Sequence, residues 1–452
     1  MGRLTHRVVR RVAPPALLAT LMAGTLLALG TDVVAAFDGF GESTADSTYG
    51  REIRFSTTLE GDAPDRLELL IRTPGTDASL VVPVDADGSS AEYVWDTSTD
   101  HVVPNTLITY EWRATEGDEV VLSPEEDFRY VDDRPGLDWQ SAQLGESTVH
   151  WYGDGGAQAQ RFGELGAAGV ERAEELLGTE LAGPVDVFVY RTREEFFGAI
   201  GPGAREWTGA AAYPELRTIF MWNSEEAGSP AYLETVIVHE ITHIVFHDAT
   251  DNAFHDPATW INEGIATWSE TQEASSERAI VEREARGEGL FSFEAITQQF
   301  PIGERGGRLS YAQGTTMIDM IIDRYGREAI ARTADAYRGG ASDEEALEEG
   351  TGVKADELYD AFFSDFGVDE PTAIEPGEIE ASNVDRPTAG TIDPGGVDPG
   401  AEPPPGGAVP AEGEPSTRGS EVAVVVALGI GLAAAGAGAL AMTRRAERRS
   451  RT

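Results

Sequence analysis

The chain has no cysteine and, among 452 residues, one lysine, Lys354. Without thiols there is no disulfide scaffold, no thiol nucleophile and no cysteine-held zinc. Positive charge is scarce too: 34 Lys and Arg face 79 Asp and Glu, a formal charge of −45. Nine arginines sit at the ends: Arg3, Arg7, Arg10 and Arg11 open the chain, and Arg444, Arg445, Arg448, Arg449 and Arg451 close it. Setting aside residues 1–36 and 419–452 leaves 25 cations against 76 acids, or −51. A body this acidic repels phosphate backbones, which excludes nucleic acid as a partner. Apolar residues at 41% suffice for a core, and the length allows about three units of ~150 residues.

Both basic ends flank apolar runs. Arg11 is followed by an uncharged stretch from Ala16 to Leu29 and then Val34-Ala35-Ala36. A positive start, a short apolar run and small residues before a cut read as a secretory signal peptide over residues 1–36. Near the other end, Val422 to Met442 is uncharged. As a helix rising ~1.5 Å per residue it is about 31 Å long, enough to cross a bilayer. The basic tail 443–452 would stay in the cytoplasm. The expected location is the cell membrane, single-pass, with an extracellular body.

Residues 37–133 alternate in the manner of strands: Arg51–Leu59, Arg66–Arg72, Ser79–Val84, Glu92–Trp95, Leu107–Thr115, Glu119–Leu122 and Asp127–Val131. Turn signals separate them, and about seven short strands at regular spacing predict an immunoglobulin-like β-sandwich. Asp132-Asp133-Arg134-Pro135-Gly136 marks the boundary. From 137 to 366 the pattern changes. Strands are expected at Thr148–Tyr152, Pro184–Tyr190, Thr208–Tyr213 and Arg217–Trp222, with helices over Gln158–Leu177 and Thr192–Ile200 and a long helical region to Phe366. Strands first and helices after make an α+β class. Residues 367–421 are rich in Pro, Gly and acids and read as a disordered linker.

The sharpest feature is Val238-His239-Glu240-Ile241-Thr242-His243-Ile244-Val245. Two histidines four apart share one helix face and can place two nitrogens on a single Zn²⁺. Glu240 lies beside them, placed to take a proton from an attacking water. A catalytic zinc takes a third protein ligand, and two candidates exist. His247 continues the spacing but lies ~12 Å along the helix axis from His239, too far to share one ion, and reads as a helix-end residue. Glu263 is preferred: it sits in Trp260-Ile261-Asn262-Glu263-Gly264-Ile265-Ala266-Thr267-Trp268, and a carboxylate in such apolar company needs a cation. Thr267 and Glu270, on the same side, are candidates to orient the histidines.

HExxH followed by Glu263 in a Trp-Ile-Asn-Glu-Gly-Ile-Ala segment resembles the gluzincin metallopeptidases of the peptidase MA superfamily. Within them it is closer to the aminopeptidase-N-like branch than to thermolysin. Over roughly residues 137–366 the resemblance implies a thermolysin-like catalytic domain: a small sheet and a helical half carrying the HExxH helix. It implies zinc held by His239, His243 and Glu263, Glu240 as general base, and a peptide or protein substrate. It also implies that Tyr311, in Tyr311-Ala312-Gln313-Gly314, stabilises the oxyanion. One departure stands out. The branch binds a free amino terminus through a glutamate in a Gly-x-Met-Glu-Asn segment, whereas Thr208-Gly209-Ala210-Ala211-Ala212-Tyr213 has no acid. The expected function is therefore membrane-anchored, zinc-dependent peptide hydrolysis without a built amino-terminal anchor. The alternatives are a cell-surface binding or adhesion protein with a structural or inactive zinc domain, or a metallohydrolase of non-peptide amides.

Overall fold

The computed structural model describes residues 37–372 other than 77, 202–208, 225–227 and 302–303, and the side chain of Glu304. The signal peptide, nearly all of the linker, the 422–442 span, the basic tail and Thr208 lie outside the described residues. Among the described residues no helix is long and apolar enough to cross a membrane.

The N-terminal unit holds nine antiparallel strands among the described residues: β1 (Phe37–Thr48), β2 (Glu52–Gly61), β3 (Arg66–Arg72), β4 (Leu80–Pro83), β5 (Ala86–Asp87), β6 (Ser90–Asp96), β7 (Leu107–Glu116), β8 (Glu119–Leu122) and β9 (Glu126–Arg129). They form one sheet of order β1-β2-β6-β5 and another of order β4-β3-β7-β8, with β9 also on β7. The inward residues of both sheets, among them Ile53, Phe55, Leu69, Ile108 and Trp112, share one core. Alternation in β2 and β7 buries every second side chain, as a sheet with one wet face requires. β1 has no such apolar rhythm. It is a polar edge strand, paired only with β2 through two irregular steps.

The second unit begins with β10 (Gln140–Leu144) and β11 (Ser147–Trp151), then α1 (Gly156–Leu177), β12 (Val185–Tyr190), α2 (Arg193–Ile200), β13 (Ala210–Tyr213) and β14 (Thr218–Trp222). Its sheet has the order β10-β11-β12-β14-β13; β11, β12 and β14 run parallel, and β13 closes the edge antiparallel to β14. Helices follow: α3 (Pro230–Thr250), α4 (Thr259–Thr271), α5 (Ser275–Ala285), α6 (Glu304–Tyr325), α7 (Glu328–Arg338), α8 (Asp343–Thr351) and α9 (Ala355–Phe366). The stretch that the sequence reads as a long helical region thus holds seven α-helices among the described residues. One apolar core joins the sheet, α1 and these helices, giving a mixed α+β architecture.

The boundary segment is packed rather than loose. Asp132, 5% exposed, accepts from Arg134 Nε at 2.8 Å and from Tyr190 OH at 2.9 Å. Asn105 donates to Asp186 Oδ2 at 3.1 Å and Thr218 Oγ1 at 2.8 Å, and Tyr49 OH donates to Gly198 O at 2.9 Å. The two units are therefore hydrogen-bonded through β12, β14 and α2.

Two glycines set the close approach of α4 and α6. A Cβ on Gly314 would lie 2.6 Å from Trp260 O, and one on Gly264 would lie 2.7 Å from Gly314 C. Both obstacles are backbone, so no rotamer change relieves them. Gly314→Ala is expected to cost about 1–3 kcal/mol by forcing the helices apart, read as a lower midpoint in chemical denaturation. An unchanged midpoint would show that the contact is not tight.

Candidate metal centre

α3 starts where a helix should. Ser229 accepts the Tyr232 backbone N–H at 3.2 Å and Pro230 opens the first turn, satisfying an orphan donor and presetting φ. Its middle is buried on nearly every side: Ile237, Val238, Ile241, Ile244 and Val245 are at most 3% exposed. His239 and His243 are carried into that interior with them, at 1% and 2% exposure, and Glu240 at 3%.

α4 brings Glu263, 1% exposed, to the same point. His239 Nε2 and His243 Nε2 lie 3.3 Å and 3.4 Å from Glu263 Oε2, and one ligand atom from each of the three residues lies within 4.8 Å of the others. The other ring nitrogens are tied down. His239 Nδ1 meets Glu270 Oε1 at 2.9 Å and His243 Nδ1 meets Asn262 Oδ1 at 2.8 Å. Both acceptors require a proton on Nδ1, which leaves the Nε2 lone pairs facing the common centre. Neither Nε2 makes a hydrogen bond among the described residues. Buried nitrogens left in that state are costly, and a cation between them and the carboxylate satisfies both. The residues therefore fit a metal ion.

Electrostatics point the same way. Burial alone would lower the His239 pKa, but its contacts with Glu263 and Glu270 outweigh burial and raise it. Burial likewise opposes ionisation of Glu263, yet the charges and contacts of His243 and His239 hold it well below the usual carboxylate range. The same carboxylates that favour a proton on His239 would favour a metal cation in its place, beside an ionised Glu263.

Tyr311, on α6 and 3% exposed, stands with its ring 6.3 Å from that of His239 and 5.0 Å from that of Phe300. His247 lies in the last turn of α3, outside the cluster. Of the two candidates for orienting the histidines, Glu270 contacts His239, while Thr267 makes no hydrogen bond to either ring. Sequence reasoning misses Asn262. Its one signal is its place beside Glu263 in a buried helix, and its role depends on how α4 crosses α3.

Glu270 and Asn262 meet the ring nitrogens that lie away from Glu263, so if the cluster holds a metal, Asn262→Ala is expected to weaken its affinity about 10–100-fold without removing a ligand. Competition with a chromophoric chelator would measure it; an unchanged affinity would remove Asn262 from the support of the site.

Residues 166–364 match the family model described as Peptidase MA superfamily. The match falls on the unit that carries the cluster, and it is to the superfamily that the HExxH and Trp-Ile-Asn-Glu-Gly-Ile-Ala segments suggested. No curated protein matches the chain. Among solved structures, the chain is similar to an M1 zinc metallopeptidase from Deinococcus radiodurans, solved as a mutant bound to a Tyr-Ser-Ala substrate. The identity is 11%, over 76% of this chain and 97% of that one, with a TM-score of 0.33. It is also similar to the catalytic and CBM32 domains of Clostridium perfringens ZmpB, at 7% identity over 73% of this chain and 40% of that one, with a TM-score of 0.25. The functional reading rests on the site.

Proposed function

We propose that the chain is a zinc-dependent metallopeptidase that hydrolyses peptide bonds. The observation that carries the reading is the convergence of His239, His243 and Glu263 on one buried point, with Glu240 on the same helix and Tyr311 against the His239 ring. The two histidines and Glu263 hold the ion, and Glu270 and Asn262 fix the ring orientations. When bound, zinc supplies Lewis acidity that polarises the scissile carbonyl and makes water a nucleophile at neutral pH. Glu240 takes the proton from the attacking water and passes it to the leaving amine. Tyr311 donates its phenol hydrogen to the oxygen on which negative charge develops.

The edge strand β13 supports an extended substrate, since its outer side has no strand partner among the described residues and can accept a peptide by strand addition. Residues 209–213 contain no acid, so internal bonds suit the site better than amino-terminal ones. The N-terminal unit is read as an immunoglobulin-like support. The apolar runs at the two ends are read as a signal peptide and a membrane span holding the enzyme outside the cell.

Elemental analysis of the purified chain tests the reading: one zinc per chain, with peptide cleavage that stops on chelation and returns with zinc, is the expected result. A chain that binds no metal at micromolar zinc would contradict it.

A further inference from the structure

A second cluster of charge lies one helical turn from Tyr311. Between α5 and α6 a cavity of about 190 Å³ is lined by Ile280, Arg283, Glu284, Arg305, Arg308 and Leu309. Three guanidiniums around one carboxylate reverse the local sign in a chain with more than two acids per cation. The three are not equivalent. Arg305 is a strut, its Nε 3.0 Å from both Glu284 and Glu288, its Nη2 3.2 Å from Gly289 O and its guanidinium 5.5 Å over the Phe291 ring. Arg283 meets Glu284 at 3.4 Å. Arg308 has no ion pair or hydrogen bond among the described residues, and its Nε is buried. Acids outnumber cations, yet none of the described ones pairs with it. A buried guanidinium donor left unmade costs about 1–3 kcal/mol, and the ligand that satisfies its fork best is a carboxylate, held by two parallel bonds.

Arg308 precedes Tyr311 by three residues on α6, so the two lie on one helix face, ~4.5 Å apart along the axis. A peptide whose scissile bond lay at Tyr311 would, by that spacing, bring a neighbouring group towards Arg308. We infer that Arg308, framed by Arg283 and Arg305, is a specificity residue that binds a substrate carboxylate close to the scissile bond. This inference rests on the metallopeptidase reading. The carboxylate is that of an Asp or Glu side chain or of the peptide's own C-terminus. Glu284 holds Arg283 and Arg305 in place, while Ile280 and Leu309 give the stem of such a side chain an apolar wall.

The test uses the full zinc-loaded chain carrying Glu240→Gln, so that peptides bind without being cut. Labelled peptides with Glu or Gln at each position, and with free or amidated C-termini, are titrated by fluorescence anisotropy. The expected result is binding at least tenfold tighter for one carboxylate peptide than for its neutral twin. That ratio should fall to near one with added Arg308→Gln and to an intermediate value with Arg308→Lys, which keeps the charge but loses the fork. The Glu/Gln arm and the free/amide arm separate the two sources of the carboxylate. Equal binding of the twins, a preference that survives Arg308→Gln, or no binding by any peptide would overturn the inference. If the preference follows Arg308 while the zinc-loaded wild type cuts nothing, the carboxylate site stands and the peptidase reading fails. Cleavage without a charge preference upholds the peptidase reading and overturns the carboxylate site.

Discussion

Glu240→Gln should lower peptide cleavage by about 10²–10⁴-fold, the usual contribution of a positioned general base, while zinc stays bound. The two effects separate because Glu240 is on α3 but outside the group His239, His243 and Glu263. Glutamine keeps the size of the buried side chain and loses only the ability to accept a proton as an anion. Metal content and cleavage rate, measured on the same preparation, check this. If the rate falls only because zinc is lost, Glu240 is holding the site together. If neither changes, proton transfer runs through another group.

Glu263→Ala should do the opposite and remove the metal. It deletes one of the three proposed ligands and leaves two buried imidazole nitrogens facing an empty space. Metal affinity should fall by far more than the roughly 10–100-fold expected when a supporting residue is changed. Stability carries the same signal. A ligand that binds only the folded chain adds about 4 kcal/mol when present at ~1,000 times its dissociation constant. For a unit of this size that is about 8–16 °C in unfolding midpoint. Wild type should show this difference between zinc and chelator in a thermal melt, and Glu263→Ala should show none. A zinc-dependent shift of wild-type size in the mutant would move the ion elsewhere.

Local features were the ones legible in the sequence. The HExxH histidines could be placed together because four residues on a helix put them on one face, with no tertiary knowledge needed. Glu263 was legible through its company, since Trp260, Ile261, Ile265 and Trp268 are all at most 3% exposed and a carboxylate among them demands a counter-charge. Strands such as β3 and β7 announced themselves by alternation, and β1 and β10 did not. Those two are edge strands with largely polar sequences, and only their pairing partners make them strands. Asn262 and Arg308 were illegible for a different reason. What each faces is decided by the packing of α3 on α4 and of α5 on α6, which leaves no trace in spacing.

The most direct measurement is mass-spectrometric detection of the bonds cut in a defined peptide mixture by zinc-loaded, chelated and Glu240→Gln protein in parallel. Internal peptide bonds should be cut by the zinc-loaded wild type and by neither of the others. If the wild type cuts no bond, or if the same bonds are cut at the same rate by the Glu240→Gln protein, then the His239, His243 and Glu263 cluster is not the centre of a peptidase.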